Sequence, residues 1–211
     1  MCGFGGYFGG APEGGELLRA MTRALLHRGP DEQGVLAAPH AGLAHARLSI
    51  VGLGDGQQPM RDETGDLAIV FNGEIFNYVE LREELRARGR QFRTSSDTEV
   101  ILHLYDEMGE DCVSRLNGDF AFAILDERRR RMVLARDRMG VRPLFHTRHG
   151  GVFYFASEVK ALLRVPGIAA EIDPVALDQI FTLWAPIAPR TPFKGIHELE
   201  PASLMIVDRE G

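Results

Sequence analysis

Apolar and polar positions along the chain alternate in short blocks. Ala41–Val51 carries Leu43, Leu48, Ile50 and Val51, and Leu67–Ala68–Ile69–Val70–Phe71 is an unbroken apolar run of strand length. The run halts at Asn72–Gly73, a pair that between apolar segments predicts a type I′ hairpin turn, with Ile75–Phe76 resuming a strand. Phe120–Leu125 and Met132–Ala135 predict a hairpin, Val152–Ala156 a further strand and Ser203–Val207 a last one. Helical spacing appears where Leu17, Leu18, Met21, Ala24 and Leu25 share a face, predicting a helix from about Glu13 to Leu26. Val79, Leu81 and Leu85 predict a second over Tyr78–Arg88. Val100, Ile101 and Leu104 predict a third to about Met108, capped by Ser96 or Asp97. Ser157 is expected to cap a short helix through Leu163 with Glu158 in its first turn, and another short helix is expected over Asp173–Trp184. Strands come in pairs with helices interspersed and without regular βαβ alternation, which favours α+β layers with antiparallel sheets.

Composition narrows the class. At 211 residues the chain suits one generous domain, or a domain with an added tail, and its 45% hydrophobic and 26% charged residues are ordinary for a globular protein. A net charge of -6 argues against a nucleic-acid partner, which would want a basic stripe. No apolar run is long enough to span a bilayer, and no signal-peptide pattern opens the chain, so a cytoplasmic location without membrane attachment is expected. Two cysteines, Cys2 and Cys112, make neither a disulfide framework nor a zinc site, so no metal is expected. Cys112 suits a buried small hydrophobe, and the run Arg128–Arg131 suits a solvated turn rather than a phosphate site.

Candidate chemistry begins at Cys2. Removal of Met1 would make it the N-terminus, placing a thiol and a free α-amine on one residue, the N-terminal form of nucleophile activation. The amine titrates at roughly 7.7–8.0 in model peptides, so it can take a proton near neutral pH. Glycines on both sides of Phe4 allow either close approach of backbone to a ligand or merely a weak, flexible first strand. Asn72 and Gly73 offer a side-chain amide and a backbone N–H unobstructed by a Cβ, a pair of donors suited to a tetrahedral oxyanion, and one tight turn would present both. Arg47 is either a surface residue or a planar fork for a carboxylate. Asp97 is either a helix N-cap or the counter-charge to an ammonium group; together Arg47 and Asp97 would recognise the zwitterionic end of a free amino acid.

The blocks taken together carry more. Met1–Gly3, His27–Asp31, Ala46–Val51, Gln58–Met60, Phe71–Tyr78, Ser96–Val100, Asn117–Phe122, Ala135–Arg138 and Ser157–Leu162 stand in one order over residues 1 to about 163. In these blocks the chain resembles class II glutamine amidotransferases, the N-terminal-nucleophile type, and most of all the glutaminase domain of glutamine-hydrolysing asparagine synthetase. The resemblance implies a four-layer α/β/β/α sandwich of two stacked antiparallel sheets. It implies Cys2 as nucleophile, its freed α-amine as base, and Asn72 and Gly73 as oxyanion hole. Arg47 would hold the glutamine α-carboxylate, Asp97 and the Gly73–Glu74 region the α-amino group, and backbone around Ile50 and Val51 the pocket wall. Residues 1–165 would form the glutaminase domain and 166–211 its C-terminal extension, leading to a synthetase domain outside this chain. No cofactor is expected in this chain; ATP and magnesium belong to that second domain, since the Ser-Gly-Gly loop it needs does not occur here. The partners implied are glutamine, the synthetase domain and, as an open alternative, a second copy in a homodimer.

Departures from the family pattern are Phe4 in place of a small aliphatic residue, Gly52 where an acid is common, Arg142 for a common lysine, and Pro201–Ala202–Ser203 without the glycine expected before the last strand. None touches the proposed chemistry. Two rivals stand beside this assignment: an amidotransferase of the same class with another ammonia acceptor, and a non-catalytic domain of the same fold. Phe181, Leu183, Trp184 and Ile187 in the tail either face another domain or fill the edge of the core.

Overall fold

The computed structural model describes residues 1–10 and 14–208. Glu13, at the start of the expected first helix, and Arg209–Gly211 lie outside the described residues. Two antiparallel sheets stack face to face. The first is six-stranded and comprises β1 (Gly3–Phe8), β2 (Glu32–Ala38), β3 (Ala41–Arg47), β8 (Phe145–His149), β9 (Val152–Ala156) and β10 (His197–Glu198), in the order β10-β8-β9-β1-β3-β2. The second is five-stranded, with β4 (Met60–Arg61), β5 (Leu67–Ile75), β6 (Gly118–Asp126), β7 (Arg131–Arg136) and β11 (Leu204–Val207), in the order β11-β7-β6-β5-β4. Helices α1 (Gly14–Ala24) and α4 (Val159–Leu162) cover the outer face of the first sheet. Helices α2 (Tyr78–Ala87) and α3 (Asp97–Met108) cover the second, and α5 (Pro174–Leu183) lies in the tail.

Three apolar layers account for this order. Phe4, Phe8, Leu43, Val70, Ala123, Leu134 and Phe155 fill the space between the sheets. Leu18 and Met21 of α1, with Leu25 just beyond it, pack with Ala44, Ala46 and Tyr154 on one outer face; Leu81, Leu85, Ile101 and Leu104 pack with Ile69, Phe71 and Phe122 on the other. Both sheets therefore bury both faces, and the result is the four-layer sandwich that the resemblance implied.

Several local expectations change. The first strand is not weak: every residue of Gly3–Phe8 is buried, with β3 on one side and β9 on the other. Its glycines serve packing, since a Cβ on Gly6 would sit 2.2 Å from the carbonyl oxygen of Gly42. The strand expected over Ala41–Val51 stops at Arg47, so Ile50 and Val51 lie in the loop that follows. Asn72–Gly73 is no hairpin turn. β5 runs through it to Ile75, with Asn72 opposite Ala121 and Gly73 opposite Phe120 in an unbroken register with β6. The turn propensity is overridden by nine residues of pairing against a central strand. Ser96, not Asp97, caps α3, its Oγ accepting from the N–H of Thr98 at 3.2 Å. Ser157 does not cap α4; its Oγ accepts instead from the N–H of Phe4 at 3.0 Å and Glu158 holds the cap position. Strands β2 and β8 are additions, because small and polar residues hide their period in the sequence.

Residues beyond Pro166 supply the outermost strand of each sheet, β10 beside β8 and β11 beside β7. Arg136 ties this tail down, donating to the carbonyl oxygens of Leu199 (2.5 Å) and Arg142 (2.7 Å) and pairing with Glu198 (2.7 Å). Phe181, Leu183, Trp184 and Ile187 do not fill the core edge; all four are exposed.

Candidate active site

The mouth of the site is an open pocket at the ends of β1, β3 and β5. It is lined by Cys2, Arg47, Ile50, Val51, Asn72, Gly73, Glu74 and Asp97, so all eight residues singled out in the sequence converge on one cavity. Leu48, Gln58 and Arg142 join them.

Cys2 precedes β1, at the centre of the first sheet. Its Sγ lies 3.3 Å from the N–H of Leu48, which donates to it, and 3.5 Å from the carbonyl oxygen of the same residue. Burial pushes the thiol up; the Leu48 N–H, the N-terminal ammonium, Arg47 and Arg28 pull the other way without overcoming it. The thiol is thus protonated near neutral pH and needs a base to attack. Arg28 fixes the residue from behind, its Nε donating to the Cys2 carbonyl at 2.8 Å while its Nη1 meets Glu158 at 2.8 Å.

Asn72 and Gly73 line the same pocket from the second sheet. Asn72 is 1% exposed and, among the described residues, its Nδ2 has no hydrogen-bond partner. A buried amide donor left unpaired costs about 1–3 kcal/mol, and here the donor is free to meet a ligand in the pocket that Asn72 lines. The Gly73 N–H is positioned by strand parity. In an antiparallel pair, alternate residues turn their N–H and C=O groups to the same side. The N–H of Phe71 bonds Gln58 Oε1 at 2.6 Å and the N–H of Ile75 bonds Asp97 Oδ2 at 3.1 Å, both away from β6. Gly73 lies between them on that same edge, beyond the end of β4, which pairs only with Ala68 and Ile69. Its N–H therefore opens toward the pocket. Its φ of +153 and the 2.1 Å separation of a would-be Cβ from the Asp119 carbonyl oxygen restrict the position to glycine.

Arg47 is almost fully buried, with Nη1 paired to Glu32 at 3.0 Å and Nη2 donating to the carbonyl oxygens of Gly52 (2.5 Å) and Val51 (3.3 Å). Gly52 thus has a structural use: with φ +62 it turns its carbonyl into the guanidinium. Asp97, the first residue of α3, is 3% exposed; burial raises its pKa, against hydrogen bonds from the Ile75, Asp97 and Thr98 amides. Among the described residues it has no ion-pair partner, so a carboxylate and a guanidinium flank one pocket, with a thiol and two amide donors also lining it.

Over residues 1–211 the chain matches the family model described as "Glutamine amidotransferase domain". The chain belongs to that family. Among curated proteins, it is 47% identical over 194 residues to asparagine synthetase [glutamine-hydrolyzing] 3 of Bacillus subtilis, covering 90% of this chain and 32% of the relative. It is 40% identical to asparagine synthetase [glutamine-hydrolyzing] 1 of the same organism, covering 100% of this chain and 34% of the relative. A putative asparagine synthetase [glutamine-hydrolyzing] 2 of Methanocaldococcus jannaschii is 36% identical, covering 99% and 44%. The chain thus spans about a third to under a half of these relatives. Among solved structures, the glutamine phosphoribosylpyrophosphate amidotransferase of Bacillus subtilis superposes with a TM-score of 0.73 at 24% identity, over 100% of this chain and 48% of that one, which shows the shared fold.

Within this glutamine amidotransferase domain, Leu48 and Gln58 line the pocket and Arg28 braces Cys2, although the sequence had not singled them out. All three stood in blocks carrying the resemblance, which was the one signal available for them; the Leu48 amide lies just past the end of β3. No helix among the described residues is long and apolar enough to cross a membrane.

Proposed function

We propose that this domain hydrolyses glutamine to glutamate and ammonia through a γ-glutamyl thioester on Cys2. The observation that carries the proposal is the unpaired, buried Nδ2 of Asn72 in the same pocket as the Cys2 thiol. Glutamine enters with its α-carboxylate on Arg47 and its α-ammonium on Asp97 and the Gly73–Glu74 segment, while the Ile50–Val51 loop closes the wall. The α-amine of Cys2, freed by removal of Met1, takes the thiol proton as Sγ bonds to the side-chain carbonyl carbon. Asn72 Nδ2 and the Gly73 N–H receive the resulting oxyanion. The ammonium then returns its proton to the leaving nitrogen, and ammonia departs as the C–N bond breaks. Water, deprotonated by the same amine, attacks the thioester; the Sγ–C bond breaks, glutamate leaves and the thiol is restored.

The ammonia is supplied to an ATP-dependent, asparagine synthetase-type partner domain in the cytoplasm. This rests on the relatives' names and on the apolar surface of the tail. Trp184 ends α5 in the left-handed region at φ +67 with 92% of its surface exposed, beside exposed Phe181. A bulky residue in that conformation is disfavoured, and an aromatic patch of this kind marks an interaction face. ATP and magnesium belong to that partner; this chain's own chemistry calls for neither.

The test uses protein whose intact mass shows Met1 removed. Such protein is expected to release glutamate from glutamine and to be labelled at Cys2 by 6-diazo-5-oxo-L-norleucine, and Cys2→Ala is expected to abolish both. Met1-free protein that neither hydrolyses glutamine nor takes the label would overturn the assignment.

A further inference from the structure

Among the described residues, Phe71, the residue before Asn72, meets no strand on the edge that faces the pocket. Its N–H is taken by Gln58 Oε1 at 2.6 Å and its carbonyl oxygen accepts from His45 Nε2 at 3.0 Å. His45 lies on β3, on the face with Leu43 that packs against the second sheet, and is 1% exposed. Its other ring nitrogen, Nδ1, has no partner among the described residues, so the hydrogen bond to Phe71 assigns the ring proton to Nε2. A half-satisfied imidazole in a buried apolar layer carries a cost that leucine would not. Its one bond goes to the peptide that leads into Asn72. His45 also stands two residues from Arg47 on the same face of the same strand.

We propose that His45 is a positioning residue for the oxyanion hole, with Gln58 as its counterpart on the other side of the Phe71 backbone. The two side chains replace the missing neighbour strand at Phe71, as Asp97 does at Ile75, so that among the described residues only the Gly73 N–H on this stretch of edge is left for a ligand. His45 further sets the spacing between the carboxylate clamp on β3 and the oxyanion donors on β5. An ångström of misplacement there suffices for a loss of about 100-fold in turnover. The inference rests on the glutaminase function proposed above.

Met1-free wild type, His45→Leu, His45→Gln, Gln58→Met and Asn72→Ala are compared in glutamine hydrolysis and in binding of L-glutamate γ-semialdehyde. The thiol of Cys2 adds across that aldehyde to form a hemithioacetal, whose oxygen occupies the oxyanion hole; the thiol proton passes to the α-amine. His45→Leu is expected to lower kcat by about 10- to 100-fold and aldehyde affinity in parallel, with KM for glutamine within about threefold. His45→Gln, which returns an N–H donor where Nε2 stood, is expected to recover most of both. Gln58→Met is expected to share the signature of His45→Leu, and decides the matter if His45→Leu does not fold. A His45→Leu enzyme equal to wild type overturns the proposal. So does equal impairment of the Leu and Gln variants, a rise in KM matching the fall in kcat, or a Gln58→Met enzyme with wild-type kcat. If wild type itself neither hydrolyses glutamine nor binds the aldehyde, the glutaminase assignment fails and this inference with it; a failure confined to the variants overturns this inference alone.

Discussion

Glu32 and Arg47 are register partners across β2 and β3, and their side chains meet at 3.0 Å. The ion pair takes one edge of the guanidinium, while the loop carbonyls of Val51 and Gly52 take another. Arg47 is thereby held at the pocket before any ligand arrives. Preorganisation of this kind spends the side-chain entropy during folding rather than at binding.

Arg47→Lys tests the clamp. An ammonium is a point charge and cannot span Glu32, the loop carbonyls and a carboxylate at once. Steady-state kinetics should show KM for glutamine raised at least about tenfold, with kcat changed by less than about threefold, the pattern of lost uniform binding. An unchanged KM would remove Arg47 from the carboxylate site.

Asn72→Ala probes the oxyanion donor. Losing one such donor costs about 3 kcal/mol of barrier, so kcat should fall about 100-fold or more. Glutamine affinity, measured by calorimetry in a Cys2→Ala background, should stay within about twofold. Thermal stability should change little, because the deleted Nδ2 makes no hydrogen bond in the free protein. Wild-type turnover in this variant would be incompatible with the proposed mechanism.

The sequence exposed the apolar layers well and the edges poorly. Leu67–Phe71, Val152–Ala156 and the hairpin from Phe120 to Ala135 were legible because buried strands must be continuously apolar when both sheet faces are covered. The helices over Tyr78 and Val100 were legible by their 3.6-residue spacing. β2 was not, because Glu32–Ala38 alternates only between half-buried and exposed positions. Asn72–Gly73 misled for a related reason: turn propensity is local, whereas the pairing that keeps the pair in strand comes from β6, some fifty residues away. At the site, individual candidates were ambiguous alone and were brought together only by the family resemblance. His45 escaped notice, since burial and an orphaned ring nitrogen are properties of the fold and leave no spacing signal.

Ala202 explains one departure from the family pattern. It adopts φ +56 in the turn before β11, with its N–H donating to the Asp137 carbonyl oxygen at 2.8 Å. An L-residue in this region costs about 1–2 kcal/mol, against about 0.5–1 kcal/mol for the greater backbone entropy of glycine. Ala202→Gly should therefore raise unfolding free energy by up to about 1 kcal/mol, seen as a higher urea midpoint at constant slope. A lowered midpoint would show that the turn tolerates alanine without strain.

Acid should destabilise the domain in two separable windows. Burial holds His45 down at about 4, helped by Arg47 and opposed by its bond to Phe71. An unfolded imidazole titrates at about 6.5, so between these values the unfolded chain binds the proton first. The stability is intact above about pH 6.5 and is lost as pH falls toward 4, a change of order 3 kcal/mol at 1.36 kcal/mol per pH unit. His146, also held down at about 4 by burial, His197 and Arg148, contributes to the same window. Glu158 behaves differently: burial pushes it up, but hydrogen bonds from Arg28, His27 and Lys160 overcome that and hold it at about 2. Its contribution is intact above about 4.5 and lost only as pH falls toward 2. Melting temperatures of wild type should thus decline from pH 7 to 4.5 and again below. His45→Gln should flatten part of the first decline and leave the second unchanged. A variant curve parallel to wild type between pH 7 and 4.5 would mean that His45 does not remain neutral in the folded protein.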